Sequence, residues 1–175
     1  VSPWKKRNEP SPGRGGSKQK EPKNIMPQSY TCLNYHLVFS TKSRVTQIEP
    51  DWQARLYKYI GGVLRAHGGC LLSAGGMPDH IHLLASISKE QAIADALRII
   101  KSNSSGWIHD TLPGQKEFAW QTGYAAFAVS YSNLEKVRKY VLKQKEHHRK
   151  KTFKEEFVAL LEKHEIDYDK RYLWD

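Results

Sequence analysis

"MPDHIHLLASI", residues 77–87, places two histidines, His80 and His82, two apart in an otherwise apolar run. The Pro78-Asp79 pair is a turn signal, and the run behind it has the length of a strand. Side chains alternate faces along a strand, so His80, His82, Leu84 and Ser86 point one way. Ile81, Leu83, Ala85 and Ile87 point the other way, which marks theirs as the helix-packed face. The two imidazoles then stand side by side on the opposite face, roughly 7 Å apart at Cα, within the span of one divalent ion. Taken alone, His-x-His also fits two half-exposed polar residues on an open sheet face.

The flanking sequence supplies the rest of a sheet. "YTCLNYHLVFS", residues 30–40, alternates in the same way, with Leu33, Tyr35, Leu37 and Phe39 on one face and Cys32, Asn34 and His36 on the other. Residues 50–69 space Trp52, Leu56, Ile60, Val63 and Leu64 as a helix, with Pro50 in its first turn and Gly68-Gly69 closing it. "CLLSAGG", residues 70–76, is a short strand. "SKEQ", Ser88 to Gln91, reads as a capping box opening a helix with Ile93, Ala96, Leu97 and Ile100 inward. "FAWQTGYAAFAVS", residues 118–130, reads as a strand with Gly123 as a bulge or point of close approach. Residues 132–148 form a third helix, and a second capping box, Thr152 to Glu155, starts a fourth. The order β-α-β-β-α-β-α-α predicts an α+β protein. Its first six elements match the ferredoxin-like (RRM-like) split βαβ pattern, an antiparallel sheet with helices on one face, followed by additional C-terminal helices. The other face is left free for a site or a partner.

The chain has 175 residues, a net charge of +10 and two cysteines without metal-ligand spacing. Neither a membrane span nor a secretory signal is visible, so a reduced cytoplasmic protein is expected. Residues 1–25 carry seven Lys/Arg against two Glu and four of the eight prolines. They are expected to be a disordered basic extension, with Met26 as the native start; a DNA-touching arm is the alternative. Residues 26–150 then form the main domain and 151–175 a C-terminal helix and tail. The remaining positive excess gathers in "KVRKYVLKQKEHHRKK", residues 136–151. Such a stripe fits a polyanionic partner, nucleic acid above all, or a solvated helix face.

On that basic helix Tyr140, Gln144 and His147 fall at i, i+4 and i+7 and form one strip beside Leu134, Val137 and Val141. If the helix packs on the open sheet face, Gln144 can offer a carbonyl oxygen as a third metal ligand beside His80 and His82, with Tyr140 next to the ion. The bland alternative is an amphipathic edge tyrosine and a solvated glutamine. A metal beside a tyrosine on a basic helix suits phosphodiester chemistry. The metal polarises the phosphate as a Lewis acid, and the tyrosine oxygen attacks phosphorus. A free phenol with pKa near ~10 is a poor nucleophile at neutral pH, so the site must favour the phenolate as it attacks.

"GGMPDHIHLLASI", Tyr140 and Gln144 followed by "EHH", and "FAWQTGYAAFAVS" together resemble the single-tyrosine HUH transposases of insertion sequences of the 200/605 type, from about Tyr30 to His148. The resemblance implies cleavage and rejoining of single-stranded DNA at hairpin-marked element ends through a 5′-phosphotyrosine intermediate. It implies Tyr140 as nucleophile, His80, His82 and Gln144 as ligands of Mg²⁺ or Mn²⁺, and a homodimer in which the tyrosine helix can act in trans. Lys136, Arg138, Lys139, Lys143, Lys145, Arg149 and Lys150 are expected to line the DNA path. Two rivals stand beside this reading. One is a non-catalytic single-strand-binding module of the same fold, which has no need of His80, His82, Tyr140 and Gln144 together. The other is a domesticated relative that nicks DNA without moving an element.

Overall fold

The computed structural model describes residues 29–171, 173 and 174. The expected disorder and start site within residues 1–25 lie outside the described residues. Four antiparallel strands, β1 (Asn34–Ser40), β2 (Cys70–Met77), β3 (His80–Ser86) and β4 (Ala125–Val129), form one sheet in the order β2-β3-β1-β4. With α1 (Pro50–Ala66) between β1 and β2 and α2 (Ile93–Thr111) between β3 and β4, this is the ferredoxin-like arrangement.

Period-two alternation divides the sheet as the sequence dictates. Leu37, Phe39, Ile81, Leu83 and Ala85 pack beneath Trp52, Leu56 and Ile60 of α1 and Leu97 and Ile100 of α2, in one apolar core. The α1 helix starts with Pro50 in its first turn. It ends in a Schellman motif: the Gly69 amide donates to the Leu64 carbonyl at 2.9 Å and that of Gly68 to Arg65 at 3.2 Å, with Gly68 at φ +73°.

The second face is not open. It is covered by α3 (Leu134–Leu142), α4 (Gln144–His147) and α5 (Phe153–Lys163) of the same chain. Val141, with Leu134 and Val137 beside it, packs on Leu84 and Val129. Phe153, Leu160 and Leu161 of α5 pack on Val38, Ala125 and Phe127. The capping box of α5 is present: Thr152 Oγ1 accepts from the Glu155 amide while the Glu155 carboxylate accepts from that of Thr152. Such a cap is worth about 1 kcal/mol.

Three local expectations are corrected. Ser88 does not cap α2, whose N-cap is Ala92 without a side-chain bond. Ser88 Oγ instead accepts from the Glu90 amide within a turn that the Gln91 amide closes onto the Ser88 carbonyl. A local side-chain bond has outcompeted the helix start. Of the strand expected over 118–130, β4 forms together with an isolated antiparallel bridge from Trp120 to Thr41, and residues 121–124 leave the ladder. Lys101 Nζ takes the carbonyls of Gln121, Thr122 and Gly123 at 2.9, 3.0 and 2.8 Å, so these are spent outside the ladder. Gly123 makes no close approach, since an added Cβ would meet nothing nearer than 3.8 Å. The helix expected over 132–148 breaks at Lys143, φ −97° and ψ 19°, into α3 and α4.

Candidate active site

His80 and His82 emerge from β3 on one face, as the alternation requires, but both are buried, 1 % and 0 % exposed. They lie in the seam between the apolar patch under α3 and the one under α5. Their ring centroids are 5.3 Å apart. The seam exists because β2 lets α3 down onto it. A Cβ built on Gly75, which faces His82 across the ladder, would fall 1.9 Å from the Val141 carbonyl oxygen. Only a glycine permits that approach, and it delivers Tyr140 and Gln144 over the histidines.

His148 and Glu156 join the pair, both missed in the sequence reading. One ligand atom from each of His80, His82, His148 and Glu156 lies within 4.8 Å of every other. Glu156 was legible in part: it sits within the stripe Phe153, Phe157, Leu160 and Leu161, where a lone carboxylate is out of place. His148 carried only its adjacency to His147.

The outer bonds fix which atoms face the cluster. Asp79 Oδ1 lies 2.7 Å from His80 Nδ1, and its Oδ2 accepts from Arg44 at 2.6 Å. Burial raises the Asp79 carboxyl, but the His80 and Arg44 bonds outweigh it and hold it at about 2. An ionised Asp79 demands a proton on His80 Nδ1, so Nε2 turns a lone pair inward. His148 Nδ1 lies 3.0 Å from the Lys151 carbonyl, which likewise demands its proton, and its Nε2 meets His80 Nε2 at 3.0 Å. Two lone pairs facing at that distance suit a cation held between them. His82 Nδ1 is bonded to His36 Nε2 at 2.9 Å, while His82 Nε2, buried, has no hydrogen-bond partner. Nor has the buried Gln144 Oε1. Glu156 Oε2 stands 2.9 Å from His148 Nε2 and 3.5 Å from His82 Nε2. Burial holds His80 at about 4 against the pull of Asp79. Burial, then His82, holds His36 at about 3. Three imidazoles, a carboxylate and an orphaned amide oxygen form a donor set that fits a divalent metal.

Tyr140 is on the same cluster. Its hydroxyl donates to Glu156 Oε1, which also accepts from Gln144 Nε2 at 3.0 Å. The ring stands edge-on to His36 and His82, with centroids 5.8 and 6.1 Å away, and 4.7 Å from that of His147. Burial, and then the Glu156 carboxylate, push the phenol well above its ordinary range. Glu156 is itself held below the carboxylate range: burial raises it, but the neighbouring His82 and its bonds from Tyr140 and Gln144 prevail. His80, His82, Tyr140 and Gln144 are thus brought together within one chain, and Tyr140 meets the histidines of its own chain. A cavity of about 250 Å³ beside the cluster is lined by Tyr140, His148, Glu156, Lys151 and Lys163. Lys136, Arg138, Lys139, Lys143, Lys145, Arg149 and Lys150 are all exposed, with Arg138 paired to Glu135 at 4.0 Å and Lys143 to Glu146 at 3.4 Å.

Comparison with known proteins gives consistent matches. A family model described as "Transposase IS200 like" matches residues 29–144. The ISDra2 transposase TnpA of Deinococcus radiodurans is 27% identical over 117 residues, 64% of this chain and 84% of that protein. A crystal structure of a candidate transposase from Deinococcus radiodurans R1 superposes with a TM-score of 0.53 at 22% identity, over 66% of this chain and 94% of that one. A REP-associated tyrosine transposase solved with a REP hairpin is matched at a TM-score of 0.48 and 16% identity, over 66% of this chain and 70% of that one. His148 and Glu156 lie beyond the span of the family match.

Proposed function

This chain belongs to the IS200-like transposase family, and we propose that it cuts and rejoins single-stranded DNA at hairpin-marked element ends, with Tyr140 as the nucleophile. The observation that carries the reading is the bond from the Tyr140 hydroxyl to Glu156, whose other oxygen faces the imidazoles of His82 and His148. Nucleophile, proton acceptor and metal donors form one unit, more than a binding module requires.

In the forward step Tyr140 Oη attacks phosphorus and the bond to the 3′ oxygen breaks. A 5′-phosphotyrosine and a free 3′-OH result. The phenolic proton passes to Glu156 Oε1, and the departing 3′ oxygen takes one from solvent. Rejoining runs the same transfers backwards. Mg²⁺ or Mn²⁺ held by His80, His82, His148 and Glu156, with Gln144 Oε1 as a further donor, would polarise the phosphate as a Lewis acid. Asp79, braced by Arg44, keeps His80 in the ligating tautomer. The seven exposed Lys and Arg residues of positions 136–150 line the strand's path, which is single-stranded and hairpin-bearing. The homodimer then brings two complete sites to one DNA and has no need to exchange tyrosines.

The test is a single-stranded oligonucleotide from the flanks of the gene, incubated with protein and Mn²⁺ or Mg²⁺. A denaturant-resistant protein–DNA band is expected, absent with Tyr140→Phe. A band of undiminished strength with that variant overturns the assignment.

A further inference from the structure

His36 is a further imidazole of the seam, and the chemistry above gives it no task. It lies on β1, two residues before Val38, which pairs with His82 across the ladder. It is 4 % exposed. Its Nε2 stands 2.9 Å from His82 Nδ1. The two rings stack, with centroids 5.1 Å apart and planes 24° apart. Phe127 and Tyr140 flank the same ring, with centroids at 5.9 and 5.8 Å. A polar ring enclosed in this way is more costly to bury than an apolar one, unless its nitrogens have work to do.

Each imidazole of the donor cluster has a partner on its outer nitrogen. For His80 it is the Asp79 carboxylate, and for His148 the Lys151 carbonyl. Both only accept, so each leaves its ring one tautomer. His82 differs, because its partner is an imidazole that can either give or take a proton. One proton serves the bond. If His82 gives it, His82 Nε2 is a bare lone pair turned to the donor cluster. If His36 gives it, a neutral His82 carries its own proton on Nε2. That N–H would be buried without an acceptor: Nε2 has no hydrogen-bond partner, and Glu156 Oε2, at 3.5 Å, is too far to be one. A buried donor left unpaired is destabilising, whereas a bare lone pair is what a cation takes up.

We infer that His36 is a positioning residue for the metal: it accepts the Nδ1 proton of His82 and so commits His82 Nε2 to the ion, resting on the reading of that site given above. The bare nitrogen of His36 is then Nε2, and its own proton sits on Nδ1. Outer-sphere partners of this kind set both the tautomer and the orientation of a ligating histidine. The ring also packs edge-on against Tyr140. The two contacts make different demands: packing needs a flat ring, and the bond to His82 needs an acceptor.

The experiment titrates Mn²⁺ alone into the full chain, without DNA, and follows binding by electron paramagnetic resonance. His36→Phe keeps a flat ring and removes the acceptor, so it should weaken Mn²⁺ binding by about 10–100-fold. His36→Gln loses the ring but offers Oε1 at a similar reach, and it should recover most of that loss. A role in packing alone would reverse the order of the two variants. A Phe variant that binds Mn²⁺ as the native protein does, or a Gln variant no better than the Phe variant, overturns the inference. The native chain gives a second reading that needs no variant. With ¹⁵N-labelled histidines and diamagnetic Zn²⁺ in the site, NMR should find the proton on His82 Nδ1 and none on His36 Nε2. A proton on His36 Nε2 overturns the inference. Adduct formation with DNA is scored separately. Metal binding that follows His36 as expected, in a protein that forms no adduct, supports the inference and removes the strand-cleaving reading; a native chain that binds no Mn²⁺ overturns both.

Discussion

Gly75→Ala should separate folding of the sheet from assembly of the site. The added Cβ would fall 1.9 Å from the Val141 carbonyl oxygen and 3.0 Å from its carbon. Carbon–oxygen contacts across packed backbones settle at about 3.3–3.6 Å, so the end of α3 must retreat by about 1.4 Å or more. Backbone is displaced here rather than a flexible side-chain tip, so the overpacking cost is about 1–3 kcal/mol. In a domain of this size that lowers Tm by about 3–10 °C. The functional loss is larger in proportion. Tyr140 and Gln144 ride on the displaced segment, and a ~1 Å misplacement of a reacting group costs about 10²-fold in rate. Gly62→Ala is the control: it lies in α1, nothing stands within 4 Å of its added Cβ, and it should be neutral or stabilising by up to about 1 kcal/mol. Thermal melts and the rate of adduct formation measure both effects. A Gly75→Ala protein that melts with the native one and forms adduct at the native rate would refute the docking of α3 on β2 as the device that positions Tyr140.

Glu156→Ala should weaken Mn²⁺ binding, followed by calorimetry or electron paramagnetic resonance, at least tenfold, and abolish adduct formation; unchanged Mn²⁺ affinity would remove Glu156 from the donor set. Chelation of metal should stop cleavage yet leave single-strand binding nearly intact, because phosphate contacts carry the affinity. Log affinity should fall with log salt by about 0.7 per neutralised phosphate, and Lys139→Ala or Lys145→Ala should each make the slope shallower by about that amount; an unaltered slope takes that lysine off the path. In metal-free protein His36 and His80, held at about 3 and about 4, bind fewer protons folded than unfolded between those values and 6.5. Stability present above pH 6.5 is therefore lost as pH falls toward 4, and the urea midpoint should drop across that window; a flat midpoint would mean the histidines are solvated.

The histidine face, the strand–helix order and α1 with both its ends were legible because they rest on short-range regularities: period two, period four, and a proline and two glycines at fixed offsets. What covers the second face was not. An amphipathic helix declares which stripe it buries, not against which surface, so α3 to α5 left the sheet looking open. The stabilising force is the same in either case, and only Gly75 hinted at a helix pressed against β2. Ser88 and the run 118–124 misled for the opposite reason. Their local patterns were sound, and a rival local bond in one case and Lys101 in the other took the groups those patterns needed. Tyr140 and Gln144 were legible as a strip, while His148 was concealed by the break at Lys143, which alters the phase of the short helix that it caps. Glu156 lay one residue beyond a capping box that drew attention to Glu155. Its position in the apolar stripe of α5 was the signal to follow.

The most direct test of the account is the identity of the residue that carries the DNA. The covalent complex, formed with Mn²⁺ on single-stranded DNA from the gene's flanks, is digested with nuclease and trypsin, and the peptide bearing the nucleotide is sequenced by mass spectrometry. The chain offers nine tyrosines. The account predicts a 5′-phosphate on Tyr140 alone. A nucleotide on any other residue would contradict the geometry that joins Tyr140, Glu156 and the three histidines into one site.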